Sequence, residues 1–90
     1  MQQREMVLYT RGPSLSSWRA KRFLERSGYG FEVVDVAGDP GMLARLSEAS
    51  RRKVPPTPYV FVDRRPVGGM GTVRALAGSG QFEHLLRDDL

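Results

Sequence analysis

The stretch that decides the fold of this chain lies in its second half and reads Thr57-Pro58-Tyr59-Val60-Phe61-Val62-Asp63-Arg64-Arg65-Pro66-Val67-Gly68-Gly69. Its apolar run, Tyr59–Val62, is rich in strand-forming residues and predicts a strand. The polar run Asp63-Arg64-Arg65 predicts a turn. Pro66-Val67-Gly68 then predicts a short edge strand, because proline cannot donate a hydrogen bond within a central ladder. The prolines within residues 54–58 exclude a helix there, since each one restricts the residue before it.

A strand, a helix and a second strand are predicted in the first half of the chain. The apolar run Met6–Thr10 predicts a strand, and Arg11-Gly12-Pro13 predicts the turn after it. Ser14 is well placed to cap a helix whose apolar residues recur at helical spacing, with Gly28 as its C-cap. Residues 31–36 predict the next strand. Because the joints are short, this order predicts a βαβ unit with parallel pairing and a right-handed crossover.

Two further helices complete the predicted order. Asp39-Pro40 is typical of a helix start, and the cations of residues 51–53 complement the dipole where that helix ends. Thr72 is expected to cap a last helix, which is interrupted at residues 78–80 and continues to Arg87. The buried faces are expected to be formed by Met42, Leu43, Leu46 and Ala49 in the second helix, and by Val73, Leu76, Ala77, Phe82, Leu85 and Leu86 in the last.

The order β-α-β-α-β-β-α predicts the fold class. It is typical of an α/β protein with a four-stranded mixed sheet and helices on both faces. A chain of 90 residues can bury one modest core, so a single domain spanning residues 1–90 is expected.

The composition narrows the chemistry that is open to the chain. There is no cysteine, so disulfides, thiolate metal sites and thiol chemistry are excluded. The one histidine, His84, falls in the last helical pattern near Asp88 and is interpreted as a surface residue rather than a metal ligand. No apolar run approaches the length that a bilayer requires, and the polar residues 1–6 argue against a signal peptide. A cytoplasmic location is therefore expected.

The net charge of +4 favours anionic partners, which include nucleic acid, acidic proteins and small anions such as glutathione. The excess cations lie mainly in residues 19–26, residues 51–53 and Arg64-Arg65. Runs of this size are more often solvated surface, so nucleic acid is not the expected partner.

The motifs of the chain resemble those of the glutaredoxin family over nearly its whole length. The family opens with a strand reading Y-T, a basic residue, then C-P-Y-C and x-x-A-K, and continues with D-V, D-P and finally T-V-P-x-I-F-I followed by I-G-G. The corresponding text here is Tyr9-Thr10-Arg11, Ser14-Leu15-Ser16-Ser17, Trp18-Arg19-Ala20-Lys21, Asp35-Val36, Asp39-Pro40, Thr57-Pro58-Tyr59-Val60-Phe61-Val62 and Val67-Gly68-Gly69.

This resemblance implies a thioredoxin fold and the family's role in redox homeostasis. That role is glutathione-dependent thiol–disulfide exchange, in which electrons pass between glutathione and disulfides of proteins or small molecules. Glutathione is the implied co-substrate, and no metal is implied.

The resemblance also implies a glutathione site. Pro58 is similar to the family's cis-proline and Thr57 to the residue whose backbone holds the cysteinyl part of glutathione. Arg11 and Arg52 are similar to residues that bind carboxylates. Gly68 and Gly69 resemble the pair before the γ-glutamyl site, where Thr72 keeps a hydroxyl but the family's acidic residue is missing. Each residue also has a purely structural interpretation. Pro58 would be a trans-proline in a turn, Arg11 a surface arginine, and Arg52 a cation that complements a helix dipole. The glycine pair and Thr72 would form a tight corner followed by a helix cap.

Ser14 and Ser17 stand where the family has its two redox cysteines, and Leu15 and Ser16 replace the residues between them. Thiol–disulfide exchange requires a thiolate, and a serine hydroxyl is far too weak an acid to ionise at a helix N-terminus. The chain as written is therefore expected to be redox-inactive, although its family consists of enzymes.

Three origins of the serines are open: engineered replacement of cysteine, natural loss of the thiols with a binding role kept, or a serine hydrolase. No base or acid is placed by sequence to activate Ser14, which argues against the hydrolase. The structural interpretation is that Ser14 caps a helix and Ser17 lies in its first turn. Trp18 is expected to pack against the sheet or to flank the active-site groove.

Three functions follow as hypotheses. The first is the family's redox role, seen in a cysteine-free form. The second is a thiol-free binding module for glutathione or a partner peptide. The third is a basic adaptor for nucleic acid or an acidic protein, which predicts salt-dependent binding without competition by glutathione.

Overall fold

The computed structural model describes residues 3–53 and 57–87. This part of the chain forms four strands and four helices in the order β-α-β-α-β-β-α-α. The strands are β1 (Met6–Thr10), β2 (Glu32–Asp35), β3 (Tyr59–Val62) and β4 (Arg65–Gly69). The helices are α1 (Leu15–Arg26), α2 (Pro40–Ser50), α3 (Met70–Gly78) and α4 (Gln81–Leu86).

The four strands form one mixed sheet in the order β2-β1-β3-β4. Strand β1 is parallel to β2, with Leu8 opposite Val33, and antiparallel to β3, with Leu8 opposite Val60. Strand β4 pairs antiparallel with β3, and their register shifts between Val60 and Phe61. The predicted α/β fold with a four-stranded mixed sheet is therefore confirmed, and the strand that contains Pro66 lies at the edge, as expected.

The alternation of side chains along the strands divides the core between the two faces of the sheet. Helices α1, α3 and α4 cover one face, where the buried residues are Met6, Leu8, Ala20, Leu24, Val60, Val62, Val73, Phe82 and Leu86. Helix α2 covers the other face, where Val36, Leu46, Tyr59 and Phe61 are buried. Helices on both faces are thus confirmed. Ala49 is exposed, so the predicted buried face of α2 is too wide.

The first two helices begin as the sequence predicts. The Ser14 hydroxyl accepts a hydrogen bond from the Ser17 N–H at 3.0 Å. The Asp39 carboxylate accepts one from the Met42 N–H at 3.0 Å, and Pro40 is the first residue of α2. Gly28 follows the cap residue Ser27 in a left-handed conformation, with φ of 82°.

The expectation that Thr72 caps the last helix is wrong. Helix α3 begins at Met70, and its cap residue, Gly69, offers no side-chain hydrogen bond. Thr72 instead lies in the first turn of α3 with its side chain against Gly68. The predicted interruption of the last helix is confirmed. Gly80 has φ of 82° and separates α3 from α4.

Several expectations concern the chain ends and the surface. His84 is exposed, which agrees with its surface interpretation. Asp88 and residues 54–56, part of the stretch predicted not to be helical, lie outside the described residues. Among the helices of the described ranges, none is long and apolar enough to cross a membrane.

Candidate functional site

Two hydroxyl groups meet at the N-terminus of α1. Ser14 follows the turn after β1, and its Oγ donates a hydrogen bond to Ser17 Oγ at 2.9 Å while accepting from the Ser17 N–H. Ser14 is exposed, whereas Ser17 is only 4% exposed. A helix N-terminus stabilises negative charge, but neither hydroxyl can ionise there as a thiol can. The pair therefore caps the helix and supplies no nucleophile for disulfide exchange.

A groove opens beside these serines, which we call the serine groove. It has a volume of about 410 Å³ and is lined by Thr10, Gly12, Pro13, Ser14, Ser17, Trp18, Lys21 and Asp35. Trp18 is 58% exposed, so it flanks this groove and does not pack against the sheet.

Asp35 ties the end of β2 to the loop before α1. Its carboxylate accepts hydrogen bonds from the Gly12 N–H at 3.0 Å and the Ala37 N–H at 2.8 Å. The bond from Gly12, followed by that from Ala37 and the charge of Lys21, lowers the pKa of Asp35 below its ordinary value, with desolvation opposing the shift. Asp35 thereby holds the loop that presents Ser14.

A second groove, which we call the proline groove, lies on the other side of the first turn of α1. It has a volume of about 390 Å³ and is lined by Ser16, Arg19, Thr57, Pro58, Gly69, Met70, Gly71 and Arg74. The Thr57–Pro58 peptide bond is cis, which confirms the expected geometry. Three of the residues assigned by resemblance, Thr57, Pro58 and Gly69, are thus brought together.

The glycine pair divides into two roles. Gly68 is buried with φ of 147°, and a Cβ built on it would lie 2.9 Å from the Cβ of Thr72. Gly69 lines the proline groove, and a Cβ built there would lie 3.8 Å from the carbonyl oxygen of Pro58. Gly68 therefore allows α3 to pack against β4. Gly69 leaves the proline groove open, because it has no side chain to fill it.

Three assigned residues line neither groove. Arg11 is exposed in the turn directly after β1, and Arg52 is exposed after α2, where its carbonyl oxygen accepts a hydrogen bond from the Ser47 hydroxyl. Thr72 is exposed and contacts Gly68. The structure does not bring these side chains into the grooves with Thr57 or Ser14.

Sequence reasoning missed the two cations of the proline groove. Arg19 comes from α1 and Arg74 from α3. The guanidinium of Arg74 lies 5.5 Å from the centre of the Phe23 ring. Arg19 belongs to one of the cationic runs visible in the sequence, but nothing local to Arg74 marks it, because the meeting of α1 and α3 is a tertiary feature.

The described ranges contain no group of three or more histidine, aspartate or glutamate side chains arranged to hold a metal ion.

Comparisons with known proteins point to one family. A family model described as glutaredoxin matches residues 16–67, a range that includes Ser17, Arg52, Thr57 and Pro58. A glutaredoxin of Pseudomonas aeruginosa is 28% identical over 81 residues, which are 90% of this chain and 94% of that protein.

Solved structures agree with this match. The solution structure of glutaredoxin from Brucella melitensis has a TM-score of 0.80 and 29% identity, covering 100% of this chain and 96% of that one. A buckwheat glutaredoxin solved as a glutathione complex has a TM-score of 0.78 and 16% identity, covering 92% of this chain and 76% of that one. At that identity the likeness concerns the fold.

Proposed function

This chain belongs to the glutaredoxin family, and we propose that it is a thiol-free member that binds glutathione without catalysing thiol–disulfide exchange. The observation that carries the proposal is the meeting of Thr57, Pro58 and Gly69 in one groove beside the first turn of α1. The buckwheat glutaredoxin, which shares this fold, was solved in complex with glutathione.

The redox step of the family is missing because its reacting atom is missing. Exchange begins when a thiolate attacks a disulfide sulfur, and this chain has no cysteine. The hydroxyls of Ser14 and Ser17 are instead bonded to each other, and Ser14 caps α1. The function that we propose for this fold is therefore ligand binding.

The main chain at the proline groove suits a peptide-like ligand. Thr57 lies just before β3 and outside its paired residues, so its backbone can pair with a tripeptide in the manner of an added strand. Gly69 has no side chain to obstruct that approach. The carboxylates of glutathione suit a chain of net charge +4. We also propose Arg11, Arg52 and Thr72 as glutathione contacts on the resemblance alone, since none of them lines the proline groove.

A glutathione titration of the full chain, followed through backbone amide signals, tests the binding. Reduced glutathione is expected to shift the signals of Thr57 and Gly69. Gly69→Ala is expected to weaken binding severalfold, because its methyl group would narrow the groove. Gly78→Ala is the matched control, since a Cβ at Gly78 meets nothing within 4 Å and Gly78 lies at the end of α3. Unchanged amide signals up to millimolar glutathione would contradict the proposed binding.

A disulfide-reduction assay tests whether the two serines are the reason for the proposed lack of redox activity. The unaltered chain is expected to be inactive with glutathione, and the Ser14→Cys, Ser17→Cys double variant active. Ser14→Cys alone is expected to restore more activity than Ser17→Cys alone, because position 14 is exposed and position 17 is 4% exposed. A folded but inactive double variant would mean that only the scaffold is shared with active glutaredoxins.

A further inference from the structure

We propose that the proline groove also docks an acidic peptide segment of a partner protein, with a carboxylate side chain held between Arg19 and Arg74. The inference rests on the proposed function, which makes this groove the binding surface. It goes beyond that function by naming a class of protein partner.

The two arginines carry a positive charge that the groove itself does not neutralise. They come from different helices, α1 and α3, and line the same cavity. No acidic side chain is among the described residues of the lining, and neither guanidinium forms an ion pair within residues 3–53 and 57–87. A guanidinium binds a carboxylate through two parallel hydrogen bonds, so an acidic side chain is the ligand group that this pair fits best.

Arg74 is held in place before any ligand arrives. Its guanidinium lies 5.5 Å from the centre of the Phe23 ring, within the range of a cation–π contact. A side chain that already has a preferred position loses less conformational freedom on binding. Arg74 is therefore the better organised of the two contacts.

The N-terminus of α3 adds a positive electrostatic potential to that of the two arginines. Met70 and Gly71 are the first residues of this nine-residue helix, and both line the groove. The cap residue Gly69 makes no side-chain hydrogen bond, and the first turn holds no acidic residue. The N–H groups of a first helical turn lack partners within the helix, and they favour a negative charge nearby.

The shape of the groove favours a peptide over other anions. Its volume of about 390 Å³ exceeds what a single carboxylate or phosphate fills. Thr57 and Gly69 border it, and the main chain of a glycine is open to pairing with an extended peptide. Single-stranded nucleic acid is bound largely by stacking on aromatic rings, and no aromatic side chain is among the described residues of the lining.

Binding of short peptides to the full chain tests the assignment. The probe is a capped, fluorescently labelled peptide with two glutamates separated by one residue, so that both side chains project to one side of an extended backbone. Its control has glutamine at both positions. Fluorescence anisotropy at low salt is expected to show binding of the glutamate peptide about 25-fold tighter than that of the glutamine peptide, since the latter loses the contacts with both arginines.

Charge variants show where the peptide binds. Arg19→Gln and Arg74→Gln are each expected to weaken binding of the glutamate peptide about fivefold, and Arg19→Lys to restore part of it. Arg26→Gln is the matched control, because it removes the same charge from an exposed position in the last turn of α1. Circular dichroism confirms that each variant is folded.

The outcomes separate this inference from the proposed function. Equal affinity for the two peptides, or equal loss in Arg19→Gln and Arg26→Gln, overturns the acidic-peptide assignment while glutathione shifts at Thr57 and Gly69 still support the proposed function. A single-stranded oligonucleotide that binds more tightly than the glutamate peptide overturns it as well. Peptide binding that depends on both arginines, without any glutathione shift, supports the docking site and overturns the glutathione proposal.

Discussion

At the scale of single residues, the start of α1 offers two hydroxyls, Ser14 and Ser17, and no thiol. Ser14 keeps the position, exposure and helix N-terminus that would lower the pKa of a thiol. Its hydroxyl stays neutral there and is used instead as a cap, accepting from the Ser17 N–H. The local structure needs only an acceptor at this position, so the fold survives a change that removes the reaction.

Alanine substitution of the two neighbouring glycines is predicted to affect stability by very different amounts. Gly68→Ala is expected to lower the free energy of unfolding by about 1–3 kcal/mol, because φ of 147° strains any side-chain residue. The added Cβ would also collide with Thr72 at 2.9 Å. Gly69→Ala is expected to change stability by less than about 0.5 kcal/mol, since its φ of -77° suits alanine. Urea denaturation measures both, and equal losses would contradict the division of roles.

At the scale of elements, one carboxylate joins the end of β2 to the start of α1. Asp35 accepts hydrogen bonds from backbone N–H groups of two different loops, at Gly12 and at Ala37. Its pKa is lowered, first by the bond from Gly12 and then by that from Ala37. Because the ionised form is favoured in the folded state, this carboxylate contributes stability above its ordinary pKa of 3.8.

This link predicts a pH-dependent contribution to stability. The contribution of Asp35 is expected to be fully present above pH 3.8 and to be lost as the pH falls below 3.8, through the lowered folded-state pKa. In Asp35→Asn the stability deficit should therefore be largest near neutral pH and shrink below pH 3.8. Denaturation at a series of pH values measures the deficit. Glu32→Gln, which removes a charge at the exposed start of β2, is the control; an identical pH profile for the two variants would count against the link.

At the scale of the whole molecule, the two faces of the sheet are unequally covered. Three helices pack on one face, and α1 alone buries Ser17, Ala20 and Leu24. The other face is covered by α2, whose one buried residue is Leu46. Burial of apolar surface is the main stabilising contribution, so α2 is held less firmly than α1.

Hydrogen exchange is expected to reveal this difference. The backbone amides in the middle of α2 should exchange faster than those in the middle of α1, because local opening of α2 exposes less apolar surface. Exchange followed by NMR at neutral pH measures both helices in one sample. Equal protection in the two helices would mean that the molecule opens only as a unit.

Most of the helices and strands, the family resemblance and the lack of thiol chemistry could be predicted from local sequence. The strands Met6–Thr10 and Tyr59–Val62 and the caps at Ser14 and Asp39 were predicted correctly, because they depend on neighbours within a few residues. The absence of thiol chemistry follows from the lack of any cysteine, whatever the fold.

Which side chains share the site depends on tertiary packing. The apolar spacing of α1 did not mark every side chain correctly, because the structure leaves Leu15 and Trp18 exposed and lines the proline groove with Arg19. The presence of Arg19 and Arg74 in one groove depends on how α3 packs against α1. That packing is set by contacts between residues far apart in the chain, so no local pattern in the sequence marks it.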